Sequence, residues 1–393
     1  MVYSTAQAIT IDHSSGVQYL KPLIPFNGLL DDHLKYLLEL SEQRLLFTGS
    51  VLFECGQFDA LDYYLLHGEL ECRYPDGRSE IIKSRQHRQA VNDLQPRSCT
   101  VVATQDCQVL AVDREQLDKL VAWSQVAEYL LVDIAYNRDL DEDLAWMHTV
   151  LKSNLFFKVP PTNVQSIFSC LEARAVEAGE VIIRQGELGD CCYFIKEGHA
   201  QVTRKNLGGD REHLADISVG RCFGEDALLQ ETVRNATVVM SSDGVLMQLN
   251  KSDFLTLLKQ PPVAQVSWSQ VHAQLLDGSA RDTAIKKAGA SSIAVDVRTE
   301  EEYVAGHISG AVNLPLNILR LKSRVLSASE EVHYVLYCNT GRRSTVAAHL
   351  LSQLGFNVKV LAGGFHALDN QVRERYWSEQ DYVLRDGALV SGQ

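Results

Sequence analysis

Short apolar runs alternate with turn residues along TGSVLFECGQFDALDYYLLHGELECRY (48–74), and the same texture returns in AGEVIIRQGELGDCCYFIKEGHAQVTR (178–204). Runs at this spacing predict antiparallel strands folded as a β-roll or sandwich rather than a βαβ sheet. Gly49/Gly179, Gly56/Gly186 and Gly68/Gly198 share one offset, so the two stretches are an internal repeat, with each glycine marking a tight turn. Helical periodicity precedes each copy (31–45 and 161–171) and follows it (114–143 and 251–258), so the unit helix, β-roll, helix is used twice.

After KQPP (259–262) the texture changes. SSIAVDVR (291–298), HYVLYC (333–338) and FNVKVL (356–361) are apolar runs separated by helical stretches, which predicts parallel strands with covering helices. The expected fold is multidomain: two jelly-roll-like β-roll domains with flanking helices over 14–144 and 145–262, then an α/β domain with a parallel sheet over 263–382. A chain of 393 residues exceeds what one core usually supports, in line with this division.

Composition narrows the function classes. With 46% hydrophobic and 22% charged residues the chain is globular. The N-terminus lacks a basic segment followed by an apolar core, and nowhere do about eighteen apolar residues run together, so a cytoplasmic protein without a membrane partner is expected. Nine cysteines without C-x-x-C spacing argue against a disulfide framework and a zinc site, so no metal is expected. A net charge of −13 and the lack of a basic reading helix argue against nucleic acid as a partner and against a transcription factor. The acidic run DLDEDL (139–144) reads as a solvated helix face, and the long helices offer a surface for a homodimer. Cys191 and Cys192 are adjacent on an expected strand, which would turn one to the core and one outward.

Two stretches carry chemistry. Residues 223–238, FGEDALLQETVRNATV, resemble the phosphate-binding cassette of cyclic-nucleotide-binding domains of the catabolite-activator type found in bacteria. The resemblance implies a site built from Phe223, Gly224, Glu225, Ala227, Arg234, Asn235, Ala236 and Thr237, with cyclic AMP or cyclic GMP as regulatory ligand. Arg234 would meet the cyclic phosphate bidentately, and Glu225 would accept from the ribose 2′-hydroxyl. Gly224 would let the backbone approach, Ala227 and Ala236 would leave room, and Thr237 or Asn235 would add a donor. Asp226 departs from the apolar residue usual there, and Val233 from proline; Asp226 either weakens affinity or points outward. An alternative is a roll kept for assembly, with an Arg–Glu pair filling an empty pocket. The first copy keeps PRSCT (96–100) but has Arg88 where the cassette has glutamate, and from Gly68 to Arg97 it is seven residues shorter than from Gly198 to Arg234. It is expected to bind no nucleotide, although Arg88 and Arg97 could hold another anion.

The second stretch is YCNTGRRS (337–344), a cysteine between a strand-like run and a helical one. Loop N–H groups and the helix dipole would converge on such a thiol and lower its pKa from about 8.5 toward neutrality. Gly341 would let the loop curl, and Arg342 and Arg343 would hold an anion over the sulfur. Together with VDVRTEEEYVAGHISGAVNLP (295–315) and LAGGF (361–365), this loop makes residues 264–378 resemble a rhodanese domain. The resemblance implies transfer of sulfane sulfur from a small donor such as thiosulfate, through a persulfide on Cys338, to cyanide or a protein thiol, with Asn339, Thr340, Gly341, Arg342 and Arg343 completing the site. Four residues between Cys338 and Arg343, against five in the phosphatase relatives, favour sulfur over phosphate chemistry. Asp296, Arg298, Glu302 and His307 read as braces of the fold, Arg298 and Glu302 lying four apart and able to pair. The expected function is a cyclic-nucleotide-responsive sulfurtransferase; the alternative is a non-enzymatic sensor or scaffold in which this domain reads persulfides or binds proteins.

Overall fold

The computed structural model describes residues 17–137, 144–151, 160–206, 209–259, 262–272, 291–326, 332–385 and 388–391. Residues 139–143 of the acidic run lie outside the described residues. The first repeat opens with α1 (Asp31–Leu40), which buries His33, Leu34, Leu37 and Leu38 on one face. The helix stops at Leu40 rather than at Leu45, because Ser41 turns extended and Glu42–Leu46 becomes strand β1. Pairing of β1 with the last strand of the roll outweighs a helical periodicity that is only a weak prior.

Strands β2 (Val51–Phe53), β3 (Leu61–His67), β4 (Glu69–Arg73), β5 (Ser79–Lys83), β6 (Thr100–Ala103) and β7 (Cys107–Asp113) follow, and α2 (Arg114–Asn137) leaves the roll. They form two antiparallel sheets, ordered β1-β7-β3 and β2-β6-β4-β5. Leu65, Leu70, Val101 and Val109 meet in the core between them.

The second repeat runs from α3 (Val164–Ser169) through β8 (Glu172–Val176), β9 (Val181–Ile183), β10 (Cys191–Glu197), β11 (Ala200–Lys205), β12 (Arg211–Ile217), β13 (Cys222–Phe223), α4 (Glu225–Leu229), β14 (Thr237–Met240) and β15 (Gly244–Asn250) to α5 (Lys251–Leu257). Its sheets are ordered β13-β10-β15-β8 and β12-β11-β14-β9. The repeat is visible in single hydrogen bonds. Gly49 N–H donates to Ala103 O at 2.7 Å, and Gly179 N–H donates to Met240 O at 2.8 Å. The donors are 130 residues apart and the acceptors 137, so seven residues enter between them; that is the region in which α4 forms. Cys191 and Cys192 are both buried, at 4% and 0% exposure, which corrects the expectation that one faces outward. Strand alternation does send them to opposite faces, but α4 and α5 pack on β10 and cover the second face.

The third region carries β16 (Gln265–Val266), β17 (Ser291–Asp296), α6 (Glu300–Val304), β18 (His307–Ile308), β19 (Val312–Asn313), β20 (Val332–Tyr337), α7 (Arg342–Gln353), β21 (Val358–Leu361) and α8 (Asn370–Tyr376). Five strands form one parallel sheet in the order β16-β21-β20-β17-β19. Central β20 buries Tyr334, Val335, Leu336 and Tyr337. Packing of α7 on β20 and β21 explains its apolar Val346, Ala347, Ala348, Leu350 and Leu351. The chain divides into two compact units, residues 1–125 with 263–393, and residues 126–262. Among the described residues, no helix is long and apolar enough to cross a membrane.

Candidate functional site

Cys338 follows β20 directly and is 0% exposed. Gly341, at φ +97, caps α7 and turns its amide back onto the sulfur, with N to Sγ at 3.2 Å. Ser344 Oγ lies 3.7 Å from the same sulfur and donates to Gly341 O at 3.1 Å. From behind, the residues that follow the glycine pair of LAGGF clamp the loop: Phe365 N–H donates to Cys338 O and His366 N–H to Asn339 O, each at 2.8 Å. Gly364 is required here, because a Cβ would lie 2.5 Å from Cys338 O and 2.7 Å from Asn339 O, at a φ of +65.

The charges are arranged differently from expectation. Arg343 is wholly buried and donates to both oxygens of Glu302, at 2.5 and 2.8 Å, and to Asp118 Oδ1 of α2 at 3.4 Å. Arg342 pairs with Glu115, also on α2, and the Thr340 hydroxyl donates to Asp118. Arg343 is committed to Glu302 and does not reach over the sulfur to an anion, whereas Arg342 meets Glu115 in a pair that stays open to solvent, at 40% and 72% side-chain exposure. Arg298 and Glu302 do not form the expected pair. Arg298 forks onto Asp296, with Nε to Oδ1 at 3.0 Å and Nη2 to Oδ2 at 2.6 Å, and reaches Asn339 Oδ1 at 3.2 Å, while Asn339 Nδ2 donates to Glu302 Oε1 at 3.1 Å. His307 is held between Tyr303 O at 2.8 Å and Gln380 O at 2.9 Å.

The acidified thiol is also corrected. Burial pushes the Cys338 thiol up, and the charge of Asp118 adds to that; Arg343 and the contacts with Ser344 oppose both without reversing them. Ser344 belongs to the motif, and the structure brings its hydroxyl beside the sulfur, a position the motif alone does not assign. Asp118 and Glu115 carried no sequence signal at all, since they belong to a helix more than two hundred residues upstream.

In the second roll the structure brings Phe223, Gly224, Glu225, Ala227, Arg234, Asn235 and Ala236 to one cavity of ≈ 230 Å³. Thr237 stands apart: its Oγ1 accepts from Gln185 N at 3.1 Å, and it lines the neighbouring groove with Arg184, Arg204 and Arg211. Gly224, at φ +87, starts α4, and a Cβ there would lie 2.7 Å from Arg234 Nη1. Arg234 donates to Gly224 O at 2.7 Å and to Cys191 O at 2.6 Å, so backbone carbonyls fix its guanidinium in the wall. Glu225 is 5% exposed, whereas Asp226 is exposed and so takes the outward alternative.

The corresponding arginine of the first roll is spent internally. Arg97 donates to Leu61 O, the carbonyl 130 residues before Cys191, and also to Asn92 O and to Asp59 Oδ1 at 2.6 Å, with its guanidinium 4.3 Å from the Phe53 ring centroid. Arg88 Nε donates to Pro22 O. These contacts overturn the suggestion that Arg97 awaits another anion; Arg88 stays exposed. Among the described residues no helix forms between β5 and β6, where the second roll has α4.

Comparison with known proteins agrees with the fold expected of each region. The model of the cyclic nucleotide-binding domain matches residues 44–123 and 173–261, and that of the rhodanese-like domain matches 280–371. The cyclic AMP receptor protein of Thermus thermophilus is 34% identical over 28% of this chain and 51% of its own. A cAMP-dependent protein kinase regulatory subunit of Yarrowia lipolytica is 31% identical over 42% and 39%, and cGMP-dependent protein kinase 2 of Mus musculus is 25% identical over 62% and 30%. The matches thus span between 30% and 51% of these relatives' lengths. The chain carries two cyclic nucleotide-binding domains followed by a rhodanese-like domain.

Proposed function

We propose that this chain is a cyclic-nucleotide-responsive sulfurtransferase, with domains at 14–144, 145–262 and 263–382. The observation that carries the reading is the sulfur of Cys338 at the end of a central parallel strand, with the Gly341 amide 3.2 Å away and the start of α7 beneath it. The thiol first gives its proton to solvent. The thiolate then attacks the outer sulfur of a donor such as thiosulfate; the donor S–S bond breaks, sulfite departs with its electron pair, and Cys338 becomes a persulfide. Cyanide or a thiolate takes the outer sulfur and regenerates the Cys338 thiolate. The Gly341 amide stabilises negative charge on the sulfur in both steps. A cyclic nucleotide fits the second roll through Arg234, with the Gly224 backbone open to the phosphate and Glu225 at the ribose. Thiocyanate formation from thiosulfate and cyanide by the full chain, against Cys338→Ser, tests the chemistry. Equal rates at background, both without and with saturating cyclic AMP or cyclic GMP and in variants that expose Cys338, would retire it.

The burial of Cys338 favours a second reading, a non-enzymatic cyclic-nucleotide sensor or scaffold that uses the rhodanese-like domain as a persulfide- or protein-binding module. That reading predicts a nucleotide-dependent thermal shift with no turnover towards any small donor.

A further inference from the structure

The side chains that flank the sulfur loop are engaged by a helix of another domain. Within the unit formed by the first roll and the rhodanese-like domain, α2 presents Glu115 and Asp118, three residues apart and so on one helix face. Asp118 takes the Thr340 hydroxyl and lies 3.4 Å from Arg343 Nη2; Glu115 takes Arg342. Asp118 is 4% exposed and Cys338 is 0% exposed, so the helix contact and the sulfur are both out of solvent. The same contact continues away from the loop. Asp93 of the first roll is held by Arg373 at 3.1 Å and His366 at 3.2 Å, and Asn370 donates to Pro96 O at 3.0 Å. These bridges are ion pairs and hydrogen bonds, which can break and re-form without a change in covalent structure.

We propose that α2 is an autoinhibitory latch: docked through Glu115 and Asp118 it closes the Cys338 loop to sulfur donors, and undocked it opens the loop. The latch gives the proposed sulfurtransferase its control point and rests on that reading for its purpose. Two effects act together in the docked state. The helix sits on the side chains that flank the sulfur, its carboxylates repel an incoming anionic donor, and Asp118 disfavours a negative charge on the sulfur itself. Burial and Asp118 both push the thiol up, in keeping with a closed state that is also unreactive. Withdrawal would admit water and remove the carboxylates, leaving the Gly341 amide and Arg343 to favour the thiolate.

The test is the rate at which iodoacetamide alkylates Cys338 in the full chain at fixed neutral pH, read by peptide mass spectrometry. Glu115→Gln with Asp118→Asn is expected to react about tenfold faster than the parent protein. Asp93→Asn weakens the far end of the contact through Arg373 and His366, leaving Thr340, Arg342 and Arg343 as they are, and is expected to give about a threefold gain; it decides the matter alone if the double variant fails to fold. Rates within about twofold of the parent in every folded variant overturn the latch. Parallel thiosulfate–cyanide assays separate the two ideas. Faster alkylation with no turnover in any variant upholds the latch and retires the enzyme reading, whereas Cys338-dependent turnover with unchanged alkylation retires the latch and leaves the enzyme reading standing.

Discussion

Glu302 and Arg343 face each other through two hydrogen bonds, at 2.5 and 2.8 Å, with both side chains out of solvent. Glu302 also closes a capping box with Thr299 at the start of α6, its Oε2 accepting from Thr299 N at 3.1 Å. One carboxylate therefore ties the first turn of α6 to the first turn of α7 and fixes where the cysteine loop lies. The arginine that follows the cysteine in the motif is a strut, and the loop depends on it for position.

Glu302→Ala would strand a buried guanidinium and is expected to destabilise the rhodanese-like domain by about 3–5 kcal/mol, read by chemical denaturation. The pH dependence has a definite sign. Burial pushes the Glu302 carboxyl up, but Arg343 more than reverses this and holds it at about 2 in the folded protein. With a folded value below the unfolded value of about 4.3, this stabilisation is present above that pH and is lost as pH falls toward 2. Glu302→Gln should lack this segment of the acid transition; an unchanged profile would show that Glu302 does not titrate as described.

The thiol of Cys338 is pushed above its ordinary value by burial and Asp118, so its reactive thiolate is scarce at neutral pH and grows as pH rises. Alkylation of Cys338 against pH should show its inflection above that of free cysteine, moving down in Asp118→Asn. An inflection below free cysteine in the parent protein would contradict the structure.

Gly364→Ala places a methyl group against the Cys338 and Asn339 carbonyl oxygens and the Gly341 amide, at a φ that suits glycine alone. A cost of roughly 1–3 kcal/mol is expected, with the loop distorted and sulfur transfer lost. Retained turnover at parental stability would show that the loop tolerates the displacement.

Arg234→Ala and Arg97→Ala separate two arginines that bond carbonyls 130 residues apart, at Cys191 and Leu61. A bound cyclic nucleotide at a hundred times its dissociation constant should stabilise the second roll by about 2.7 kcal/mol, and Arg234→Ala should abolish this gain. Arg97→Ala should leave the nucleotide response intact while destabilising the first roll by about 3–5 kcal/mol, since Asp59 loses its partner. A thermal shift that survives Arg234→Ala would remove the cassette from nucleotide binding.

The repeat, both β-rolls and the parallel sheet were legible in the sequence because each rests on local patterning: alternating apolar positions, glycines at positive-φ turns, and continuous apolar runs in buried strands. So was the contiguous loop from Cys338 to Ser344, whose curl depends on Gly341 in its own chain. The end of α1 was misread, since residues 41–46 keep a helical spacing and only the partner strand β7 decides that they extend. Thr237 was misplaced for a similar reason: strand alternation turned its hydroxyl to the neighbouring groove.

By itself the sequence determined that the sulfur lies between a strand, a tight turn and a helix start, because these are settled by neighbours a few positions away. Tertiary structure alone decided how those residues are charged and covered. Glu302, Asp118 and Glu115 reach the loop from segments 41, 225 and 227 residues distant, and their interaction with Arg343, Thr340 and Arg342 depends on distance in space. A thiol read from its own loop looks acidified; the burial and the Asp118 charge that raise its pKa arrive only with the tertiary fold.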